Sequence, residues 1–110
     1  MAGPTKQRAI ELLQISLDAI PGLKDVKHNT PEVDPWRRNT RVTIQNVFEG
    51  SQSHVREFTR IWLGENYSES DSFYQDRHIK RLEASASILQ SMISEIENFW
   101  PEDIQETNSQ

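Results

Sequence analysis

The last third of the chain carries the pattern that most restricts its fold. Seven apolar residues there recur at alternating spacings of three and four: Ile79, Leu82, Ala86, Leu89, Ile93, Ile96 and Trp100. This alternation places them on one face of an α-helix. Ser70 or Asp71 is expected to begin the helix and Pro101 to end it. About 29 residues at ~1.5 Å each make a rod of roughly 43 Å, and its apolar face must be covered by other helices.

Shorter amphipathic stretches precede this helix and are separated by helix-breaking residues. Pro21 and Gly22 are expected to end the first stretch, and Gly50 the second. Asp34 and Pro35 are expected to begin the second, as N-cap and first helical residue. The predicted helices span residues 5–20, 35–48 and 52–63. The predicted fold is therefore all-α, an antiparallel bundle of about four helices with a long C-terminal helix as its spine.

The remaining segments are predicted to be connectors and a tail. Residues 23–33 show no clear period, and residues 65–72 have the composition of a loop. Ser51 is expected to cap the third helix. Residues 1–101 are predicted to form a single domain, and residues 102–110 a polar, acidic tail.

Composition argues against several classes of function. The chain has 110 residues, no Cys and a net charge of -5. Without Cys it can form no disulfide and no thiolate metal site, which fits a reducing, cytoplasmic location. The negative charge disfavours a dedicated nucleic-acid binder, because phosphate neutralisation dominates such binding. Lys6, Arg8 and Glu11 interrupt any signal-peptide run, and no apolar stretch is long enough to span a membrane.

No catalytic or metal-binding pattern is found in the sequence. The histidines, His28, His54 and His78, are not spaced like metal ligands and are expected to lie on the surface. The serines lie in no nucleophile motif. Three of them share a face of the long helix, which is interpreted either as a solvated or helix-packing groove or as a docking surface: Ser87, Ser91 and Ser94. The chain is therefore predicted to be no enzyme and to need no cofactor or metal.

Two groups of residues are candidates for a contact surface. Five arginines of the middle helices form a candidate partner or anion surface: Arg37, Arg38, Arg41, Arg56 and Arg60. The alternative interpretation is that they are solvated arginines beside a core Trp36, because adjacent helical residues point about 100° apart. The end of the long helix forms a candidate protein interface: Ile93, Ile96 and Trp100.

A resemblance adds to this interpretation. The chain contains the pattern Trp36-Arg37-Arg38-x-Thr40-x3-Ile44-x2-Val47-Phe48-x-Gly50-x2-Ser53-x4-Phe58, followed by a loop and a long amphipathic helix. Over residues 35–100 it resembles a helical region that precedes TIR-like nucleotide-binding domains in bacterial phage-defence proteins. It departs from that pattern at Glu49, which separates Phe48 from Gly50, and it contains no TIR-like domain. The resemblance implies an accessory, sensing or self-association module and supplies no catalytic residue.

Two functions are weighed on these grounds. The first is a non-catalytic protein-interaction or oligomerisation module. The long apolar face would provide the contact, and a homo-oligomer is expected. The second is a sensor of an anion, nucleotide or nucleic acid that uses the arginine-rich helix face. The net negative charge places this sensor second.

Overall fold

The computed structural model describes residues 3–28, 30–63 and 70–102. These residues form five helical segments and no strand: α1 (Lys6–Asp18), α2 (Ile20–Lys24), α3 (Val33–Val47), α4 (Gln52–Ile61) and α5 (Asp71–Phe99). The all-α fold predicted from the sequence is confirmed. Most of the predicted loop and most of the predicted tail fall outside the described residues.

The long helix α5 is the spine of the bundle. The Ser70 hydroxyl accepts a 3.2 Å hydrogen bond from the Phe73 main-chain N–H and so caps the helix. At the other end Trp100 leaves the helical conformation, immediately before Pro101. The helix packs against α1, α2 and α4, which together cover its apolar face.

The buried face of α5 is rotated slightly from the predicted one. Three residues of the predicted seam are completely buried: Leu82, Leu89 and Ile96. Ile79 and Ala86 are only partly buried, whereas their neighbours His78 and Ser85 lie in the core. Apolar periodicity alone did not indicate this, because it scores His and Ser as surface residues. Both polar side chains are hydrogen-bonded where they are buried.

The first helix begins near the predicted residue but ends differently from the prediction. The Thr5 hydroxyl caps α1 by accepting a 3.1 Å hydrogen bond from the Arg8 main-chain N–H. Pro21 and Gly22 do not end helical structure, since both lie within α2. Pro21 is tolerated because it sits in the first turn of α2, where an N–H has no partner within the helix.

Helix α3 begins earlier than predicted and ends as predicted. It starts at Val33, so that Asp34 lies in its first turn and is not the N-cap. The chain then reverses through a turn in which Gly50 has φ +80°, a left-handed conformation that favours glycine. Ser51 follows at the N-cap position of α4, but its hydroxyl makes no capping bond. No helix of the described residues is long and apolar enough to cross a membrane.

Candidate functional site

Two adjoining grooves lie between α3 and α4. The first, here the Arg41–Arg56 groove, has a volume of about 380 Å³ and is lined by Arg41, Gln45, Gly50, Ser51, Gln52, Val55, Arg56 and Thr59. The second, here the Arg37–Arg38 groove, has a volume of about 270 Å³ and is lined by Asp34, Arg37, Arg38, Arg41, Phe58, Thr59, Trp62 and Leu63. The grooves share Arg41 and Thr59, so they form one continuous surface, here the arginine face.

Helical spacing explains why α3 contributes its arginines to this surface. Arg37, Arg41 and Gln45 are four residues apart and therefore lie on one side of the helix. Trp36 is buried, which turns that side outward toward α4. Arg56 is the corresponding cation on α4. Arg60 is exposed and lines neither groove, so the structure brings together four of the five predicted arginines.

Trp62 supports one end of the arginine face. Its indole N–H donates a 3.1 Å hydrogen bond to the Ser85 hydroxyl, which connects the end of α4 to α5. The guanidinium carbon of Arg37 lies 5.2 Å from the centre of the Trp62 ring system, and that of Arg81 lies 5.7 Å from it. Both are cation–π distances. Trp62 therefore positions two arginines as well as packing against the core.

The positive charges of this region are close enough to affect one another. Burial lowers the pKa of the Arg81 guanidinium, and the neighbouring charges of Arg77 and Arg37 lower it further. Arginine stays charged all the same, because its ordinary pKa lies far above neutral pH. Asp34 offsets some of this charge in the Arg37–Arg38 groove, where it lies 3.9 Å from Arg37. No carboxylate of the described residues lines the Arg41–Arg56 groove.

The predicted interface at the end of α5 is corrected by the structure. Ile96 is fully buried and Ile93 is 9% exposed, so neither offers a free surface. The reason is that the start of α1 packs over this end: the Lys6 ammonium donates to the carbonyl oxygens of Glu97 and Trp100. Trp100 is partly buried, and its ring lies 6.0 Å from that of Phe48.

A polar cluster that sequence analysis missed joins α4 to α5. The Ser51 hydroxyl contacts His54 Nδ1, and His54 Nε2 lies 3.0 Å from a carboxylate oxygen of Glu95. The His54 ring is stacked on Phe48, with 3.9 Å between the ring centres. Only the Ser51–His54 spacing was visible beforehand, as a helix-capping spacing of three. Glu95 is 41 residues from His54 and has no local signal.

The cluster has the residue types of a serine hydrolase but a different environment. One face of the imidazole is covered by Phe48, and the contacts of its two nitrogens are the reverse of those in a serine hydrolase, since Nδ1 contacts the hydroxyl and Nε2 contacts the carboxylate. Ser51 contacts a histidine in the first turn of its own helix. We interpret the cluster as a structural link between the two helices.

The other histidines also contradict the expectation of surface positions. His78 is buried, and its Nε2 lies 2.9 Å from the Leu23 carbonyl oxygen. His28 Nε2 lies 3.0 Å from Asp71 Oδ1, and this hydrogen bond holds the pKa of the Asp71 carboxyl below its usual value. Each histidine therefore joins two segments of the bundle. No group of three His, Asp or Glu side chains in the described part of the chain converges in a way that could hold a metal ion.

The serine stripe of α5 meets solvent. Its three members are exposed: Ser87, Ser91 and Ser94. Ser85, two residues before Ser87, is the α5 serine that packs in the core, where its hydroxyl also donates to the Arg81 carbonyl oxygen. The structure therefore does not support the interpretation of the stripe as a helix-packing groove.

Comparison of the chain with protein-family models, curated proteins and solved structures finds no match. The described residues form an all-helical bundle, and the arginine face lies between its helices α3 and α4. The resemblance of residues 35–100 to a helical region of bacterial defence proteins stays a prediction.

Proposed function

We propose that this chain is a non-catalytic protein-interaction module whose arginine face binds an acidic segment of a partner protein. One observation carries the proposal: four arginines from two helices line a continuous pair of grooves, and one of those grooves has no carboxylate among its described lining residues. Arginine suits such a role because its planar guanidinium can donate two parallel hydrogen bonds to a carboxylate.

Burial of the α5 seam favours a different protein as the partner over a second copy of the chain. Leu82, Leu89 and Ile96 would have to leave the core before they could bind another copy. The large apolar side chains that the described residues expose are spread over α1, α3, the stretch just after α4 and the two ends of α5: Ile15, Val42, Leu63, Phe73 and Phe99. Scattered residues of this kind are normal on a monomer surface. We therefore expect light scattering to give the monomer mass over a wide concentration range.

The composition of the surface favours an acidic partner segment. Leu63 is 64% exposed at the rim of the Arg37–Arg38 groove, beside Trp62. A segment with carboxylates and one apolar residue would match both the charges and this rim. Because the charges are solvent-accessible, binding should weaken as salt is added.

The test is an NMR titration of the full chain with a short glutamate-rich peptide. Amide shifts should concentrate on α3 and α4, and the Arg38→Glu/Arg41→Glu variant should lose them. The matched control is Lys80→Glu with a second charge reversal at Lys27, since both are exposed and line neither groove. Shifts spread evenly over the surface, or equal losses in both double variants, would contradict the proposal.

A second candidate function is favoured by the Arg41–Arg56 groove itself. Its volume and its two guanidinium groups are suitable for a small anion or a nucleotide. A nucleic acid fits less well, because the chain carries a net charge of -5. In the NMR titration, a mononucleotide that shifts the same amides more strongly than the acidic peptide would favour this second function.

The biological setting is a further part of the proposal. We infer an accessory role beside an effector domain in a bacterial defence system from the resemblance of residues 35–100 alone. A cytoplasmic location agrees with the absence of Cys. Co-purification of the tagged chain from its own cells, with and without the Arg38→Glu/Arg41→Glu change, tests both points. A partner lost in the variant supports the role, whereas an unchanged set of partners contradicts it.

A further inference from the structure

We infer that the Arg41–Arg56 groove is a phosphate subsite, and that the partner segment places a phosphorylated side chain in it. The inference rests on the proposed function, because it names the group that the arginine face recognises most strongly. It is carried by the difference between the two grooves.

The first part of that difference is charge. The Arg41–Arg56 groove is lined by one arginine from α3 and one from α4, and its described lining contains no carboxylate. A phosphate monoester carries close to two negative charges at neutral pH and has three acceptor oxygens. Two arginines can neutralise these two charges and bind the phosphate oxygens bidentately. A carboxylate has a single negative charge and would not require the second arginine. The groove therefore has charge to match a phosphate.

The second part is the supply of further hydrogen-bond donors. Gln45 and Gln52 line the same groove, and each has a side-chain amide that can donate hydrogen bonds. At about 380 Å³ the groove is larger than a phosphate group and leaves room for the side chain that bears it. The Thr59 hydroxyl is already committed, since it donates a 2.8 Å hydrogen bond to the Val55 carbonyl oxygen.

The start of α4 adds to this site. The Ser51 hydroxyl contacts His54 Nδ1, and the Glu95 carboxylate contacts His54 Nε2 on the other side of the ring. The Ser51 hydroxyl is thereby directed to His54 and does not cap α4. The main-chain N–H groups of the first turn consequently have no side-chain cap, and their partial positive charge favours the anion that the two arginines hold.

The Arg37–Arg38 groove differs in charge, because a carboxylate is among its lining residues. Asp34 lies 3.9 Å from Arg37 there, and the Asp34 side chain is largely exposed whereas that of Arg37 is partly buried. The carboxylate repels a dianion more than a single negative charge, so this groove suits the glutamate or aspartate residues that flank the phosphorylated one. The two grooves share Arg41 and are adjacent, as one extended segment requires.

The experiment compares three ligands by calorimetry on the full chain. They are a glutamate-rich peptide with one central phosphoserine, the same peptide with serine, and adenosine monophosphate. We expect the phosphopeptide to bind about tenfold more tightly than the serine peptide, as one or two additional charge-assisted hydrogen bonds would give. Arg41→Gln and Arg56→Gln should abolish that preference, whereas Arg38→Gln should weaken both peptides equally.

The outcomes separate this inference from the function on which it rests. Equal binding of the two peptides would overturn the phosphate subsite and leave the acidic-segment function standing. No binding of either peptide would overturn both. If adenosine monophosphate binds as tightly as the phosphopeptide, the inference that the phosphate belongs to a partner protein is overturned. Thermal unfolding of each variant checks its fold, and Arg56 is exposed, so its replacement should leave the midpoint unchanged.

Discussion

The indole N–H of Trp36 donates a 3.0 Å hydrogen bond to the main-chain carbonyl oxygen of Ser16, which connects α3 to α1 inside the core. The same ring lies edge-on to Phe58 and Trp62, at centroid distances of 5.9 and 6.1 Å. Trp36 is therefore held on three sides, and α3 cannot rotate about its axis. This fixed orientation directs Arg37 and Arg41 toward the grooves.

Replacement of Trp36 by Phe should destabilise the bundle. The variant keeps an aromatic ring but loses the donor to Ser16 and leaves that buried bond unmade. We expect the free energy of unfolding to fall by about 1–3 kcal/mol, measured by urea denaturation. Trp100→Phe is the comparison, because Trp100 is only partly buried and should be more tolerant. A larger loss for Trp100→Phe would contradict this account of the core.

Truncation of Leu89 tests the register of the long helix. Leu89 is completely buried in the middle of α5, so Leu89→Ala should cost about 2–5 kcal/mol through lost burial and a residual cavity. The neighbouring Gln90 is exposed, and Gln90→Ala should change stability by less than about 0.5 kcal/mol. Similar unfolding midpoints for the two variants would mean that the buried face of α5 is assigned wrongly.

The hydroxyl of Thr40 is a local defect in the core. Thr40 is fully buried in α3, and its Oγ1 has no hydrogen-bond partner among the described residues. Thr40→Val replaces the hydroxyl by a methyl group of similar shape, so we expect the free energy of unfolding to rise by about 1 kcal/mol. Thr40→Ser, which keeps the hydroxyl and loses the methyl group, should instead destabilise. A loss of stability in Thr40→Val would show that the hydroxyl has a partner in solution.

The contact between His28 and Asp71 predicts a pH dependence. The hydrogen bond from His28 holds the pKa of the Asp71 carboxyl below its ordinary value of 3.8. The unfolded chain therefore binds a proton at Asp71 more readily than the folded chain does, and stability falls as the pH drops through this range. The stabilisation is present at neutral pH and is lost on acidification toward the lowered pKa.

Two single variants and their combination test this linkage. Asp71→Asn and His28→Gln should each show a smaller drop in urea midpoint than the parent chain as the pH falls below about 4. The double variant should show no further reduction, because both changes remove the same contact. Additive effects of the two changes would show that the pH dependence does not arise from the contact between His28 and Asp71.

Local signals in the sequence predicted some of the features that depend on neighbouring residues and missed others. Ser70 caps α5 and Gly50 adopts the left-handed turn conformation after α3, whereas Asp34 is not an N-cap and Pro21 lies within a helix. These outcomes depend on a side chain and a main chain within a few residues of each other. The three-four alternation over residues 79–100 likewise predicted a long helix, because one helix face is a local property.

The all-α class and the long spine could thus be determined from the sequence alone, whereas the arginine surface could only be proposed from it. The tertiary structure decided which of these residues meet: α1 covers Ile96, Arg41 and Arg56 line one groove, and Glu95 reaches His54. It also turned α5 so that the polar side chains of His78 and Ser85 enter the core, where carbonyl and indole partners satisfy them. The physical reason is that periodicity defines the face of a single helix, whereas the partner of that face is chosen by packing and hydrogen bonding between segments far apart in the chain.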